Sequence, residues 1–484
     1  MGQPQGPGRG ARRWGAVALA LAVLAAGACS SGSGDGADED RSTTASTAST
    51  ASTTTAPLSG AEVVESLRRS VALVETPAGS GSAVLLEDGY LVTNAHVVDP
   101  FRRVTVTLDG EGHDVDVVGV DLVADIAVVG PLPVEAEGPP VTLADPGGLT
   151  TGDELFLVGY PGTTDDPEVT VTEGVLSRRR QVPGWKLELL QTDAEIAEGQ
   201  SGGVLADTAG RVVGISGYSY DDQFSLAVAG PAAQDSVEAI LDDRGSEWSP
   251  LPPLGQPRDE GASLDLRASG QSVLFVPNVR DLPDLEVRFP ADVPVELEVT
   301  DLALETVALN EAADAFYRED PDDDPSARPE PTPPSEPGTW TFDVAIDEPV
   351  LVFVSAADDR ARAEVTSSLP FEVLNPQPAL QSLDVGEPVE GTVSAFDDTD
   401  TYLLDLRAGQ SVAITASSAF GDMAFTLVPP EGGGEGIEAD DGGGGLFDLD
   451  ATGTFTARAE GTHILHVSQV DGYATAYRVA VEPG

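Results

Sequence analysis

Alternation between hydrophobic and polar positions is the main pattern of the chain after about residue 60. The stretches VTVTLDG and VDVVGVD repeat with a period of two and are separated by glycine and aspartate turns, which is typical of strands with one buried face. Apolar residues have helical spacing in AEVVESLRRS, near the start of this region, and in GPAAQDSVEAILDD, at its end. The pattern predicts a mostly β domain over residues 60–244 that ends in a helix.

The sequence from Pro250 onward contains short predicted strands, proline and glycine turns, and an internal repeat. LDLRASGQSV recurs as LDLRAGQSV, and GTWTFDVAIDEPVLVFVS is paralleled by GTFTARAEGTHILHVS. Two copies of one β unit are the simplest interpretation. The first copy carries an acidic, proline-rich insertion, REDPDDDPSARPEPTPPSEPG, which is predicted to be a disordered loop. We predict a linker at 245–255 and two small β-sandwich domains at 256–370 and 371–484.

The first 59 residues have the composition of an export signal followed by a tether. Arg9, Arg12 and Arg13 precede the apolar run Ala16–Ala28, which is shorter than the ~20 apolar residues that span a bilayer. Cys29, the single cysteine of the chain, follows this run directly. The alternative to lipidation of this cysteine is an ordinary secretory signal peptide. We predict a lipoprotein-type signal peptide at 1–28, a lipid on Cys29, and a disordered Ser/Thr-rich tether at 29–59.

The charge of the chain disfavours two classes of partner. The sequence has 82 acidic and 25 basic residues, a formal net charge of −57. Such a field repels nucleic acid and anionic membrane surfaces, so the charge disfavours binding to either. Because the acidic residues are spread along the chain, we interpret them as a device for solubility, or a by-product of base composition, rather than as a binding surface.

Ser201 is a candidate nucleophile, because it lies among glycines and small residues in EIAEGQSGGVLAD. A nucleophilic serine needs a base. His463 and His466 belong to the C-terminal repeat, which leaves two histidines. His96 follows an apolar stretch in GYLVTNAHVVD, and His113 lies in DGEGHDVDV, which is predicted to be a turn. A histidine after an apolar stretch is often a packed core residue, so His96 alone does not settle the chemistry.

An acidic residue that could orient the base is present in VVGVDLVADIAVV. Asp125 has apolar neighbours, where an ionised carboxylate is unfavourable unless a partner accepts its charge. An imidazole N–H is such a partner, and the carboxylate stabilises the imidazolium that forms when a serine loses its proton. Asp121 is better placed as a turn residue. The order His96, Asp125, Ser201 suits a protease of two barrels, with the base and its orienter on the first and the nucleophile on the second.

Five stretches of residues 60–244 follow one family's order and spacing. They are GSGSAVLLEDGYLVTNAHVV, VVGVDLVADIAVV, LVGYPG, VTVTEGVLSRRR and QTDAEIAEGQSGGVL. In these stretches the domain resembles the Do-like (HtrA-type) serine proteases of the trypsin fold. The resemblance implies a mostly β fold with a chymotrypsin/trypsin-like double β-barrel. It implies that His96 is the general base, Asp125 its orienter and Ser201 the nucleophile, and that the backbone N–H groups of Gly199 and Ser201 form the oxyanion hole.

Four positions near the candidate nucleophile bear on its surroundings. Gln200 stands where the family usually has asparagine, and Glu198 and Val204 stand where proline is common. None of these differences removes a catalytic group. Glu195 is six residues before the serine, a position that lines the primary specificity pocket in trypsin-fold enzymes. A carboxylate there would select arginine or lysine, and the alternative is a solvated surface charge.

The C-terminal part departs from the family, because it contains no PDZ-like region. The stretch that begins EPVEGTVSAFDDTDTYLLDLRAGQSVAITASSAF instead resembles the bacterial pre-peptidase C-terminal (PPC) domain, a small β-sandwich attached to secreted peptidases. Residues 256–370 resemble a diverged copy. A cluster of three aspartates could bind calcium; its members are Asp397, Asp398 and Asp400. Their spacing matches no known calcium-binding loop, so we prefer to interpret them as a solvated acidic turn. We expect no cofactor and no bound metal.

These observations predict a secreted or lipid-anchored serine endopeptidase that cleaves envelope or extracellular proteins. Its expected partners are protein or peptide substrates and, through the lipid anchor, the outer face of the cell membrane; a homo-oligomer is possible. The alternative is a catalytically silent or latent scaffold that binds through its sandwich domains. A third hypothesis, a chaperone-like sensor of misfolded proteins, is weakened by the missing PDZ-like region.

Overall fold

The structure is a computed structural model. It describes residues 57–99, 101, 103–162, 168–182, 185–197, 199–220, 224–242, 262–264, 271–276, 284–290, 295–302, 306–318, 329–344, 349–356, 363–369, 371–373, 381–393, 399–430, 432–440, 450–470 and 474–484.

The first β-barrel follows a short helix and combines strands that are buried along most of their length, such as β6, with strands that alternate. In RVTVTL, for example, Val104, Val106 and Leu108 are buried while the residues between them are more exposed. The strands close in the order β1-β2-β3-β6-β5-β4. The elements are α1 (Gly60–Leu67), β1 (Val71–Thr76), β2 (Gly79–Leu85), β3 (Leu91–Thr93), α2 (Ala95–Val98), β4 (Arg103–Leu108), β5 (Glu111–Asp121) and β6 (Ile126–Val129), with a 3₁₀ turn at Glu87–Gly89.

The second β-barrel has the same number of strands and closes in the order β10-β11-β12-β9-β8-β7. A terminal helix packs back on the first barrel, where Ile240 lies over Gly119. The elements are β7 (Glu154–Gly159), β8 (Thr170–Gln181), β9 (Glu188–Thr192), β10 (Val204–Asp207), β11 (Val212–Tyr220), β12 (Phe224–Ala229) and α3 (Gly230–Leu241), with a 3₁₀ turn at Pro146–Gly148.

The predicted mostly β fold is confirmed. Two closed six-stranded barrels, as in trypsin-like proteins, are followed by further β-sheets. VTVTLDG and VDVVGVD form the antiparallel pair β4–β5, and the two segments with helical spacing contain α1 and α3.

The region after the barrels contains two pairs of packed sheets. In the first, a four-stranded sheet, β13-β20-β15-β18, and a five-stranded sheet, β17-β16-β19-β14-β21, share one hydrophobic core. We call this pair the first sandwich. Its elements are β13 (Ala262–Leu264), β14 (Gln271–Val276), β15 (Asp284–Arg288), β16 (Val295–Thr300), β17 (Thr306–Leu309), α4 (Glu311–Arg318), β18 (Thr339–Asp343), β19 (Val350–Ala356), β20 (Ala363–Ser367) and β21 (Glu372–Val373).

The second sandwich also has sheets of five and four strands, β22-β24-β29-β26-β27 and β23-β30-β25-β28, which enclose a separate core. Its elements are β22 (Gln381–Leu383), β23 (Val389–Val393), β24 (Thr399–Leu406), β25 (Ser411–Ser418), β26 (Met423–Val428), β27 (Ile437–Ala439), β28 (Ala451–Thr456), β29 (Gly461–Gln469) and β30 (Thr475–Pro483). The boundaries proposed for the domains stay predictions.

The two copies of the sequence repeat differ in strand pairing. In the second copy, β25 pairs with β28, which carries GTFTA. In the first copy, the corresponding strand β14 pairs with β19, while β18, which carries GTWTF, pairs with β15. The prediction of one β unit used twice is therefore wrong at the level of the hydrogen-bonded ladders, although both copies form a sandwich of two sheets.

Part of the predicted disordered insertion is ordered. The backbone N–H of Thr332 donates to the carbonyl of Leu309 at 2.8 Å, and that of Ser335 donates to Thr339 at 2.8 Å. These bonds attach residues 332–335 to strands of the first sandwich, so the loop prediction is wrong there. Residues 319–328 lie outside the described part of the chain.

The predictions for residues 1–56, including the signal peptide and the lipid on Cys29, fall outside the described residues. Within the ranges given above, no helix has the length and hydrophobicity needed to cross a membrane.

Candidate active site

His96 and Asp125, both from the first barrel, are joined by two hydrogen bonds. His96 lies in α2, a single helical turn after β3, and Asp125 lies in the turn between β5 and β6. The imidazole Nδ1 is 2.8 Å from Asp125 Oδ2, and the backbone N–H of His96 donates to Oδ1 at 2.9 Å. The two side chains are only 14% and 4% exposed. Both carboxylate oxygens therefore point at one residue, which fixes the position of its ring.

The backbone of Asp125 has a left-handed conformation, with φ of 52°. This region is unfavourable for residues with a Cβ by ~1–3 kcal/mol, so surrounding contacts must hold it. Two donors do so: the amide of Asn94, at 2.8 Å, and the backbone N–H of Ala95, at 3.2 Å, both donate to the Asp125 carbonyl. Asn94 is fully buried. The residues just before His96 thus position the residue that orients it.

Ser201 lies in the loop between β9 and β10 of the second barrel and faces the same cavity as His96. The loop is tied to the first barrel, because the backbone N–H of Ser82 donates to the Ser201 carbonyl at 2.7 Å. Gly202 has φ of 84°, and a Cβ at this position would overlap the Ser82 carbonyl. The Ser201 hydroxyl donates to the carbonyl of Gly217 at 3.1 Å.

Gly199 also requires glycine. Its φ is 87°, and an added Cβ would overlap the backbone of Gly162. Its carbonyl accepts the Ser82 hydroxyl at 2.9 Å, and that hydroxyl oxygen accepts the backbone N–H of Tyr160 at 2.9 Å. Among the residues that the structure describes, no acceptor takes the backbone N–H of Gly199 or Ser201. These two donors remain available to a ligand.

Gln200 is a structural brace of this loop. Its side chain accepts the backbone N–H of Ala197 at 2.8 Å and donates to the hydroxyl of Thr170 at 2.9 Å. Sequence reasoning treated Gln200 only as a departure from the family pattern and did not single out Ser82 or Asn94. In the sequence, Ser82 and Asn94 are distinguished only as polar residues within apolar segments, which is a weak signal.

The alternative candidates lie elsewhere. Asp121 Oδ1 accepts the backbone N–H groups of Val123 and Ala124, at 3.0 and 3.2 Å, and Oδ2 accepts the Ser236 hydroxyl at 2.7 Å. Asp121 itself is the last residue of β5, and its carboxylate holds the turn that follows the strand. His113 was predicted to lie in a turn. It lies instead in β5, opposite Val106 of β4, so that prediction is wrong.

Neither Glu195 nor Asp400 lines the cavity of His96 and Ser201. Glu195 is exposed and is not among the residues that line their cavity, so its role in specificity stays a prediction; Glu198 lies outside the described residues. Asp400 is 5% exposed and accepts the hydroxyl of Tyr477 at 2.6 Å, so the expectation of a solvated acidic turn is wrong for this residue. Asp397 and Asp398 lie outside the described residues, and within those residues no cluster of three potential metal ligands occurs.

The cavity around His96 and Ser201 has a volume of about 270 Å³. The Tyr218 ring forms one wall, with its centroid 5.4 Å from that of His96. Five residues of the second sandwich also line the cavity: Phe420, Gly421, Gln469, Ala474 and Thr475. A larger cavity, of about 940 Å³, lies among residues of the second sandwich alone, including Asp405 and Arg407. It contains none of the residues described above, so the smaller cavity is the better candidate site.

The two-barrel region is similar in sequence to known serine proteases. Residues 79–215 match the family described as "Trypsin-like peptidase domain". The chain is 38% identical over 171 residues to HhoA of Synechocystis sp., named provisionally as a serine protease, covering 34% of this chain and 42% of that protein. It is 34% identical over 174 residues to a "probable periplasmic serine endoprotease DegP-like" of Halomonas elongata, covering 34% and 35%.

A third relative is the serine protease HTRA1 of Xenopus tropicalis, 32% identical over 224 residues, covering 43% of this chain and 46% of that protein. Among solved structures, the HtrA-type protease AlgW with tripeptide matches at 31% identity and a TM-score of 0.35, covering 38% of this chain and 64% of that one. The chain thus spans less than half the length of these curated relatives. The family match and the named serine proteases support a serine-type endopeptidase.

Proposed function

We propose that the protein is a serine endopeptidase, with Ser201 as nucleophile, His96 as general base and Asp125 as its orienter. The observation that carries this proposal is the double hydrogen bond between His96 and Asp125, beside the cavity that Ser201 also lines. A buried carboxylate bonded to Nδ1–H leaves Nε2 of the ring as the proton acceptor. That is the tautomer that a serine nucleophile needs.

The reaction begins when the Ser201 hydroxyl turns from the carbonyl of Gly217 toward the imidazole. Its oxygen attacks a peptide carbonyl as its proton passes to His96 Nε2, while Asp125 stays ionised and stabilises the imidazolium. The backbone N–H groups of Gly199 and Ser201 donate to the oxyanion. His96 then protonates the leaving amine, and a water molecule, deprotonated by the same histidine, releases the acyl group from the serine.

The substrates are proteins or peptides outside the cytoplasm, in keeping with the apolar run before Cys29 and with the periplasmic name of one relative. A lipid on Cys29 would hold the enzyme at the outer face of the cell membrane. Glu195 would favour cleavage after arginine or lysine, and assembly into a homo-oligomer would follow the family. Detergent partitioning of the wild type and Cys29→Ser tests the lipid anchor, and a peptide library with Glu195→Gln tests the cleavage preference.

Labelling by a fluorophosphonate probe tests the nucleophile directly. The soluble chain without its first 57 residues is compared with Ser201→Ala from low to molar salt, because a net charge of −57 opposes compact folding unless ions screen it. Labelling of the wild type alone supports the proposal. The absence of labelling and of peptide cleavage from folded protein, with the active-site cavity shown to be open, rejects it in favour of a scaffold role.

A further inference from the structure

The cavity that holds His96 and Ser201 is closed by a part of the chain more than 200 residues away in sequence. Phe420 and Gly421, in the loop 419–422 between β25 and β26, form one side of it, and Ala474 and Thr475, at the start of β30, form another. We call loop 419–422 the covering loop. The second sandwich therefore contacts the surface on which a substrate must lie.

Phe420 is the main contact of the covering loop. Its ring is stacked on Tyr218, with centroids 4.4 Å apart and planes inclined by 11°. Phe420 is 9% exposed and belongs to the hydrophobic cluster of the barrels, which also contains Val228 and Leu226, rather than to the core of its own sandwich. Its burial hence stabilises the contact between domains and adds little to the sandwich itself.

Hydrogen bonds within the second sandwich hold the covering loop in shape. The Ser418 hydroxyl oxygen accepts the backbone N–H of Gly421 at 3.1 Å and that of Phe420 at 3.4 Å, and the hydroxyl donates to the carbonyl of Ala476 at 2.9 Å. A second contact lies nearby, where the Arg478 guanidinium is 5.2 Å from the centroid of the Trp185 ring. A preformed loop with an aromatic tip loses little conformational entropy when it docks.

The docked loop leaves too little room for a peptide. The ladder between β10 and β11 ends at Val204 and Ile215, so an extended peptide would reach the serine along residues 217–219. Phe420 lies on Tyr218, the middle of this stretch. The remaining volume of about 270 Å³ is below the roughly 300–1,000 Å³ typical of ligand pockets.

We propose that the second sandwich is an intramolecular inhibitor, whose covering loop occupies the substrate-binding surface beside Ser201 and must leave before a peptide substrate binds. This inference rests on the proposed function. The contact at the cavity is the stack of two aromatic rings, and the contact of Arg478 with Trp185 adds to it. A protein segment with an aromatic or large apolar side chain would compete for the same face of Tyr218.

Two substitutions of one residue test the inference in the full soluble chain. Phe420→Ala removes the stacked ring, and Phe420→Asp places a carboxylate against an apolar wall. Phe275→Ala is the matched control, because Phe275 also joins a sandwich to a barrel, with its ring 5.9 Å from that of Phe101, but lies outside the cavity. Each variant is labelled with the fluorophosphonate probe, and the second-order rate constant is measured.

We expect the labelling rate to rise about tenfold for Phe420→Ala and further for Phe420→Asp, a tenfold change being equivalent to about 1.4 kcal/mol, with no rise for Phe275→Ala. Hydrogen–deuterium exchange of residues 217–219, measured with Ser201→Ala in each background, provides a readout independent of catalysis. Exchange should be faster in both Phe420 variants than in the parent.

The outcomes separate this inference from the proposed function. Equal labelling and equal exchange in the parent and the Phe420 variants overturn the inference. Faster exchange with slower labelling also overturns it, because the loop would then complete the substrate site rather than block it. Faster exchange with no labelling in any variant upholds the covering contact and rejects the serine nucleophile.

Discussion

Replacing Asp125 by asparagine is the sharpest test of the candidate active site. The carboxylate uses Oδ1 for the backbone N–H of His96 and Oδ2 for Nδ1 of its ring. An amide of the same shape has one accepting oxygen and one donating nitrogen. If the oxygen keeps the backbone bond, the nitrogen faces Nδ1, and the ring takes the tautomer with its proton on Nε2. His96 then cannot accept the proton of Ser201.

The expected loss can be worked from the charges. In the transition state the carboxylate faces an imidazolium whose ring atom is 2.8 Å from Oδ2, with charge centres about 4 Å apart. At an effective dielectric constant of about 20, this attraction contributes about 4 kcal/mol, or about a thousandfold in rate. The wrong tautomer adds to the loss. We expect kcat/KM for peptide hydrolysis to fall by about 10³–10⁴-fold in Asp125→Asn, with little change in the thermal midpoint.

Asp121→Asn is the matched control. Asp121 is four residues away and is also buried, but it bonds backbone N–H groups and Ser236 rather than a histidine. This variant should lower stability by about 1–2 kcal/mol and leave kcat/KM of the folded protein within a few-fold of the parent. Equal losses of activity in the two variants, or full activity in Asp125→Asn, would refute the assignment of Asp125 as orienter.

Three further predictions concern residues that support the site or the second sandwich. Asn94→Ala removes the amide that holds the Asp125 carbonyl; a denaturant titration should give a loss of about 1–3 kcal/mol, and kcat should fall while KM stays constant. Ser82→Ala removes the hydrogen bond to the Gly199 carbonyl. If that bond orients the oxyanion donors, kcat should fall at least about tenfold, and an unchanged kcat would contradict this role of Ser82. Burial lowers the pKa of His466 to about 4, whereas an unfolded histidine has a pKa near 6.5. Between these two pH values the unfolded chain binds a proton that the folded protein does not, so the free energy of unfolding decreases as the pH falls from about 6.5 to about 4. In His466→Gln, the acid-induced loss of stability should shrink by up to about 3 kcal/mol, and identical pH–stability curves for parent and variant would contradict this.

Sequence patterns were sufficient where a structural role depends on neighbours along the chain. The alternation in VTVTLDG and VDVVGVD led to the β4–β5 pair, and the apolar neighbours of Asp125 indicated a carboxylate in need of a partner. The same logic failed for His113 and Asp400. His113 follows glycines that suggest a turn, but β4 supplies the ladder that makes it a strand. Asp400 lies in an acidic stretch, yet Tyr477, from β30, buries it and donates a hydrogen bond.

The supporting residues of the site were beyond sequence reasoning for a related reason. Ser82 and Gly199 are 117 positions apart, and their bond exists only because the two barrels pack against each other. Ser82 has no local pattern that distinguishes it from any buried strand serine, and the family resemblance indicated Gly199 only as an oxyanion donor, not as the acceptor of a bond from Ser82. The strand pairing of the two repeat copies was likewise unreadable, because equal sequence stretches leave the choice of partner strand open.

The stack of Phe420 on Tyr218, which joins residues about 200 positions apart, bears directly on access of substrate to the candidate active site. Covering the Tyr218 ring removes apolar surface from water, which favours the docked loop, and a substrate side chain that contacts the same face would replace Phe420 there. If the covering loop is docked nine-tenths of the time, the apparent dissociation constant of any substrate rises about tenfold, because only the open fraction binds. Substrate preference and resting activity would then be set jointly by Tyr218 in the barrel and by a loop of the second sandwich. Removal of the second sandwich should therefore change both the rate of cleavage and the apparent dissociation constant of the substrate. A substitution confined to the His96–Asp125 pair should change the rate alone.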